Sequence, residues 1–473
     1  MVQYFGCAKR IITRIFDIKV PFSVHAGKYL LSGVISRGDF FRTAALLASL
    51  NNSDEGDVRI EIDMSNFMPD KNFAEKFDPE ELARIMDASP TRRFAFSIGE
   101  WSEEHSVVLA TRPYPIELDL GEIAAAHSGI EFSDLGTAFV EALETRQSSF
   151  GSLSLIDREE YEMPFSVANL KRLLRLDCYF EKLALPTFYD DFAECVLLPF
   201  SANTNALEYS IDSNSIEPDD FKSLDIPPKD LSLKIYVGGD DDGDNWDDFS
   251  ISFLNRVTEL GHFEKLNIAI ISWHQFVSEK VEAVTNALVS AIKANPRLVH
   301  LDLSNSKWSF DWNPQVQHIF EAAAEHPGLR TLVVEKYPPN DPNYSWLRLL
   351  LSRNLYITVL DRSGNKCTDG SSIDRLYLLN KCYIDSSTLL RESASLRPSL
   401  VAKLLIQGAP EKYKRNQVLL SQQMDVLCEF IQAINHEDNV ALVSAPEESE
   451  FPSSLRRNSS QRAHKRLRSS LEY

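Results

Sequence analysis

From residue 277 to 334 the apolar positions switch between two periods. Val277, Val281, Val284, Leu288 and Ile292 recur at steps of three or four, which predicts one buried face of a helix. Asn295-Pro296 ends it, because the residue before a proline is pushed out of helical backbone. Leu298, Leu301, Leu303 and Asn305 then follow the spacing L-x-x-L-x-L-x-x-N, and the alternation within it suits a half-buried strand. A second helix is predicted through Val316, Ile319, Phe320 and Ala323, closed by His326-Pro327-Gly328, before Leu329 to Val334 begins the strand again.

The same alternation extends in both directions. Taking the first inward position of each candidate strand gives Phe96, Leu118, Leu153, Leu174, Leu207, Leu233, Leu266, Leu301, Leu332 and Ile357. Phe150-Gly-Ser-Leu153-Ser-Leu155 and Phe263-Glu-Lys-Leu266-Asn-Ile268 keep the full spacing with Phe in first place. Pro115 to Leu120 and Leu231 to Val237 keep only the alternation. Leu135, Phe139, Ala142 and Leu143, and then Phe249, Phe253, Val257 and Leu260, predict helices between strands. Residues 1–90 do not fit the repeat. Ile15 to Val24 and Val58 to Ile62 suggest strands, and Tyr29 to Ile35 and Phe40 to Leu50 suggest helices, as an α+β cap or small domain. Residues 371–436 read as wholly helical, through Ile373, Leu376, Tyr377 and Leu379, then Leu400 to Ile406, then Met424 to Ile434. Apolar periodicity stops in 437–473, which is expected to be a disordered tail.

The pattern over 91–370 resembles a leucine-rich repeat, and its long helical half resembles the ribonuclease-inhibitor subclass of that family. The resemblance implies an α/β fold: a curved solenoid with a parallel sheet on the concave face and helices on the convex one, ended by caps. Phe22-Ser-Val24-His25 followed by Gly38-Asp39-Phe40-Phe41-Arg42 resembles the start of a BTB/POZ domain. That implies an alternative role as a substrate-recruiting subunit of a ubiquitin ligase.

In such a solenoid the residues between buried leucines project from the concave face. They are Glu117, Asp119, Ser154, Arg175, Asp177, Glu208, Lys234, Tyr236, Lys265, Asn267, His300, Asp302, Thr331, Glu335 and Tyr356. The resemblance implies a platform for another protein, with Tyr236 and Tyr356 as anchors; any half-exposed sheet would also be polar there. The expected function is therefore a non-catalytic scaffold or adaptor, with an enzyme of unknown type as a further alternative. No nucleotide loop, nucleophile elbow, zinc helix or kinase catalytic loop is written in the chain. His300 and Asp302 share a strand face and could polarise a water, but no nucleophile accompanies them. The acidic run from Gly238 to Asp248 lacks the carboxylates that a calcium loop needs at its first and twelfth positions, so it is expected to be a solvated loop.

Composition and charge change this picture further. A formal net charge of -20 would repel a phosphate backbone, so nucleic acid is not expected as the main ligand. Cys7, Cys178, Cys195, Cys367, Cys382 and Cys428 are scattered, so neither a disulfide framework nor a metal site is expected, and no cofactor. No secretory signal or run of roughly 20 apolar residues occurs, so a monomeric cytoplasmic protein without a membrane contact is expected. Arg456, Arg457, Arg462, Lys465, Arg466 and Arg468 make the end of the tail basic, either as a nuclear-import or acidic-partner patch or as a solvated end. Ser459 after Arg456-Arg457 has the form that basophilic kinases prefer.

Overall fold

The computed structural model describes residues 22–25, 28–31, 59–62, 78–87, 93–96, 99–120, 130–155, 163–177, 179–237, 246–272, 278–304, 310, 312–391 and 428. The chain divides into two compact units, Met1–Lys381 and Cys382–Tyr473. Of the second, only the end of one helix and residue 428 are described. The expected helices over 40–50, 400–406 and, apart from residue 428, 424–434, the acidic run over 238–245 and the tail over 437–473 lie outside the described residues.

The first unit is an α/β structure. Its strands are β1 (Phe22–His25), β2 (Lys28–Leu31), β3 (Arg59–Ile62), β4 (Arg93–Phe96), β5 (Gly99–Trp101), β6 (Ile116–Asp119), β7 (Ile130–Phe132), β8 (Gly151–Ser154), β9 (Phe180–Leu185), β10 (Thr204–Asp212), β11 (Asp230–Val237), β12 (Lys265–Ser272), β13 (His300–Asp302), β14 (Thr331–Val334) and β15 (Thr358–Asp361). Its helices are α1 (Pro79–Asp87), α2 (Glu103–Ala110), α3 (Thr137–Glu144), α4 (Val167–Leu174), α5 (Trp246–Leu260), α6 (Ser278–Ala294), α7 (Val316–Glu325), α8 (Ser345–Arg353) and α9 (Ser372–Arg391), the last running into the second unit. The nine strands β6, β8 and β9 to β15 pair in parallel, each beside its predecessor. β2, β3 and β4 extend the sheet in parallel and β1 adds an antiparallel edge; β5 and β7 form a separate parallel pair. Residues 29–31, expected to be helical, are instead strand, because Lys28–Leu31 is paired on both sides, by β1 and by β3. Such pairing outweighs intrinsic propensity.

One row of inward side chains holds the nine strands in register. Leu118, Leu153, Leu183, Leu207, Leu231, Leu266, Leu301, Leu332 and Val359 are partners in turn across the sheet. None is more than 2% exposed, and each buried leucine contributes about 1.5–3 kcal/mol. Leu207, Leu266, Leu301 and Leu332 hold the places expected of them. Leu233 lies on β11 one inward position further along, and Ile357 is buried just ahead of β15. Leu174 is a correction: it ends helix α4, because Leu170, Leu173 and Leu174 are spaced to bury one helical face and Ser166 caps the start through Asn169 N. The strand that follows α4 is β9, whose Phe180-Glu-Lys-Leu183-Ala-Leu185 carries the full spacing.

The steps from Leu183 to Leu207 and from Leu207 to Leu231 are the shortest in the row, and there 3-10 helices replace α-helices. Aromatic rings fill the volume that a helix would occupy. Phe188, Phe200 and Tyr209 meet at centroid separations of 5.5 to 5.6 Å, and Phe221 stacks edge-on against Phe249 at 5.0 Å. The Tyr209 hydroxyl is fully buried and donates to Val196 O at 2.9 Å, so the core contains no orphaned phenol there.

Polar side chains tie one helix end to the next, because a helix leaves its last carbonyls unpaired. Arg146 donates to Ala110 O and Tyr114 O, and Arg256 to Leu224 O. Asn295, wholly buried, donates to Val257 O and Ala291 O and accepts from Phe263 N. His326 donates through Nε2 to Asn295 O at 2.9 Å while its Nδ1 accepts from Gly328 N and Leu329 N. Asn354 donates to Ala323 O, His326 O and Leu329 O, and Asn380 to Leu351 O. The last edge is covered as well. Cys367 N donates to Val359 O, and the Tyr377 hydroxyl accepts from Val359 N and donates to Val359 O, as a further strand would.

Candidate functional site

The outward positions of the sheet fall into two long rows. Glu117, Ser152, Lys182, Ala206, Asp230, Lys265, His300, Thr331 and Thr358 form one. Asp119, Ser154, Ala184, Glu208, Ser232, Asn267, Asp302, Val333 and Leu360 form the other. The longer strands add Lys234 beside Ser210, and Tyr236 between Asp212 and Ile271. Of the residues expected on this face, Glu117, Asp119, Ser154, Glu208, Lys234, Tyr236, Lys265, Asn267, His300, Asp302 and Thr331 are there, and all but the exposed Lys265 are half-buried. Arg175 and Asp177 are not: they sit in the turn between α4 and β9, a consequence of Leu174 being helical. Glu335 follows the end of β14, and Tyr356 precedes β15, 42% exposed with the Arg330 guanidinium 4.7 Å above its ring.

Most charges on the sheet face are already matched across strands. Glu208 receives Lys182 at 2.9 Å and Lys234 at 3.6 Å, and Asp230 receives Lys265 at 2.5 Å. Glu335 pairs with Arg362 at 3.6 Å. These surface pairs, still open to solvent on at least one side, add little stability, typically about 0–1 kcal/mol each, but they fix the charge pattern. Burial holds the His300 imidazole pKa below its ordinary value; Asp302 opposes that shift and Lys265 reinforces it. No hydrogen bond joins His300 to Asp302 among the described residues, and Asp302 Oδ1 accepts from Ser304 N and Ser304 Oγ. The two side chains that share this strand face are therefore not joined as a hydrogen-bonded pair.

Other chemistry is sparse. Among the described residues there is no cluster of three or more metal-ligating side chains, and no helix long and apolar enough to cross a membrane. Cys195 and Cys367 are buried free thiols, raised by desolvation, Cys367 to about 12; Cys428 is free and exposed. Asp247, at the start of α5, pairs with Lys280 at 2.7 Å, which leaves it a structural role. Tyr337 donates to Asp341 at 2.6 Å, and Asp341 caps α8 through Ser345 N and Trp346 N.

A cavity of about 880 Å³ lies away from the sheet face, between the end of α3 and the end of α4. Arg146, Lys171, Arg172, Arg175, Asp177 and Tyr179 are among its walls, so two residues expected on the sheet face line this cavity instead. Sequence reasoning missed it because the cavity depends on two turns 30 residues apart meeting in space, as the Ser149 hydroxyl bond to Tyr179 O shows. No protein-family model matches the chain, and no curated protein matches it either.

Proposed function

We propose that residues 91–370 form a leucine-rich-repeat solenoid of the ribonuclease-inhibitor kind, and that its outward sheet face binds another protein without catalysis. The observation that carries this reading is the sheet itself. Nine consecutive parallel strands bury one aliphatic row and present two rows of mostly polar side chains on the other side. A surface of that kind offers many weak contacts and few deep ones, which suits a protein partner better than a small substrate. Tyr236, beside Ile271 and two residues along β11 from Lys234, is the aromatic group best placed to anchor a partner. Ser102 Oγ lies 2.9 Å from His105 Nδ1 at the start of α2, but its hydroxyl donates to Glu104 Oε2 at 2.6 Å and neither residue is on the sheet face, so the binding reading is preferred to an enzymatic one.

The test is quantitative affinity capture with the full chain, comparing wild type, a Tyr236→Ala/Lys234→Glu double variant and Leu349→Ser on the exposed part of α8. The proposal expects specific partners to be lost with the sheet-face variant and retained with Leu349→Ser. Identical capture by all three would refute it.

A further inference from the structure

The cavity between α3 and α4 differs in charge from the chain as a whole. Four cations, Arg146, Lys171, Arg172 and Arg175, line it against two acids, Glu144 and Asp177, in a protein of net charge -20; Lys171 and Arg172 are met by Glu194 and Glu144. Three of the four are held in place by bonds of their own. Arg146 donates to Ala110 O, Tyr114 O, Ser148 O and Ser149 O. Arg172 grips Glu144 with two hydrogen bonds of 2.8 and 3.0 Å and donates to Asn169 Oδ1. Lys171 pairs with Glu194 at 2.5 Å.

Arg175 is different. Its side chain is exposed and makes no hydrogen bond or ion pair among the described residues, although it stands one turn beyond Lys171 on the same face. Tyr179, 41% exposed, lines the same cavity. Cations at helix ends ordinarily complement the helix dipole and its open carbonyls. Arg146 and Arg256 do bond carbonyls, and Arg175 does not. Its planar donor fork is therefore available for a carboxylate.

We propose that this cavity binds an acidic peptide segment of a partner protein, with Arg175 meeting its carboxylates and Tyr179 packing against its side chains. The volume is near the upper end of ordinary ligand sites, roughly 300–1,000 Å³, and far larger than one small anion needs. The Arg146 guanidinium, fixed by main-chain carbonyls, supplies positive potential without losing freedom on binding, whereas the charge of Arg172 is met by Glu144. This surface is separate from the sheet face, so it stands or falls independently of the reading above.

The experiment is fluorescence anisotropy with the full chain and a fluorescein-labelled hexaglutamate peptide at low salt, with hexaglutamine as the neutral control. Arg175→Glu should weaken hexaglutamate binding at least ~10-fold. Arg353→Glu, an equal charge change at the end of α8 and outside the cavity, should leave the affinity unchanged. Equal losses in the two variants would overturn the proposal, because net charge alone would then explain binding. So would unchanged binding by Arg175→Glu, which would place the peptide elsewhere, for example on the basic stretch 456–468. Equal affinity for hexaglutamine, or no binding of hexaglutamate at all, would overturn it too.

Discussion

Replacing Asn295 by Ala tests whether polar ties between successive helix ends are needed to hold neighbouring strand–helix units together. The Asn295 carboxamide is wholly buried and uses every group it has: Nδ2 donates to Val257 O at 3.2 Å and to Ala291 O at 2.7 Å, and Oδ1 accepts from Phe263 N at 3.0 Å. Alanine would leave those three main-chain groups without that partner, in a place water does not reach. A buried unsatisfied group costs about 1–3 kcal/mol, and partial relaxation at the helix end brings the expected total to roughly 3–5 kcal/mol. Ser290→Ala is the control: its hydroxyl is exposed and bonds only Asn286 O, so its loss should stay within about 0.5 kcal/mol. Urea unfolding followed by tryptophan fluorescence reads both, and amide exchange at Phe263 should accelerate only in Asn295→Ala. Equal midpoints for the two variants would refute the reasoning, since the stack would then depend on aliphatic burial alone.

Three further outcomes follow from the packing. Leu301→Ala should destabilise by roughly 2–5 kcal/mol, since a fully buried leucine leaves a cavity, whereas the half-buried His300→Ala should cost much less; equal thermal losses would contradict the inward and outward assignment. Gly151→Ala should be strongly destabilising, because φ is 98° there and a Cβ would stand 2.2 Å from Ile116 O; an unchanged melting temperature would show that β8 does not start in this conformation. The His326 pKa is lowered chiefly by burial, so the unfolded chain takes up its proton first as pH falls. Stability is then complete above the ordinary imidazole pKa of roughly 6.5 and declines below it, and His326→Gln should flatten that part of the pH profile, as measured by urea midpoints at pH 7.5 and 5.5.

Much of the sheet was legible because one spacing recurs with physical meaning: an apolar side chain three before the central leucine closes the turn, and one two after it continues the inward face. β12, β13 and β14 follow it as written, with Leu266, Leu301 and Leu332 in direct register. The β9 strand carried the same signal, and its Phe180-Glu-Lys-Leu183 repeats the tetrapeptide Phe263-Glu-Lys-Leu266. It was obscured by the richer leucine run at Leu170, Leu173, Leu174 and Leu176, whose steps of three, one and two belong to a helix face and its exit. Arg175 and Asp177 went astray with it. The ties made by Arg146, Asn295 and Asn354 were not legible, since a polar residue at a helix end has no pattern that names carbonyls some 30 residues away. The charge matching of Lys182, Glu208 and Lys234 likewise needs the register, which only the paired strands supply.

The central claim is that one face of this sheet is closed and the other is open to a partner, and single-cysteine labelling along β11 tests it most directly. Cysteine would be placed singly at Leu231, Ser232, Leu233, Lys234, Ile235 and Tyr236, and the rate of reaction with a charged thiol reagent measured in the folded full chain above the wild-type background. The account predicts fast labelling at Ser232, Lys234 and Tyr236 and slow labelling at Leu231, Leu233 and Ile235, which are no more than 2% exposed, with rates separated at least ~10-fold. Rates without this period of two, or uniformly slow labelling at all six positions, would contradict it.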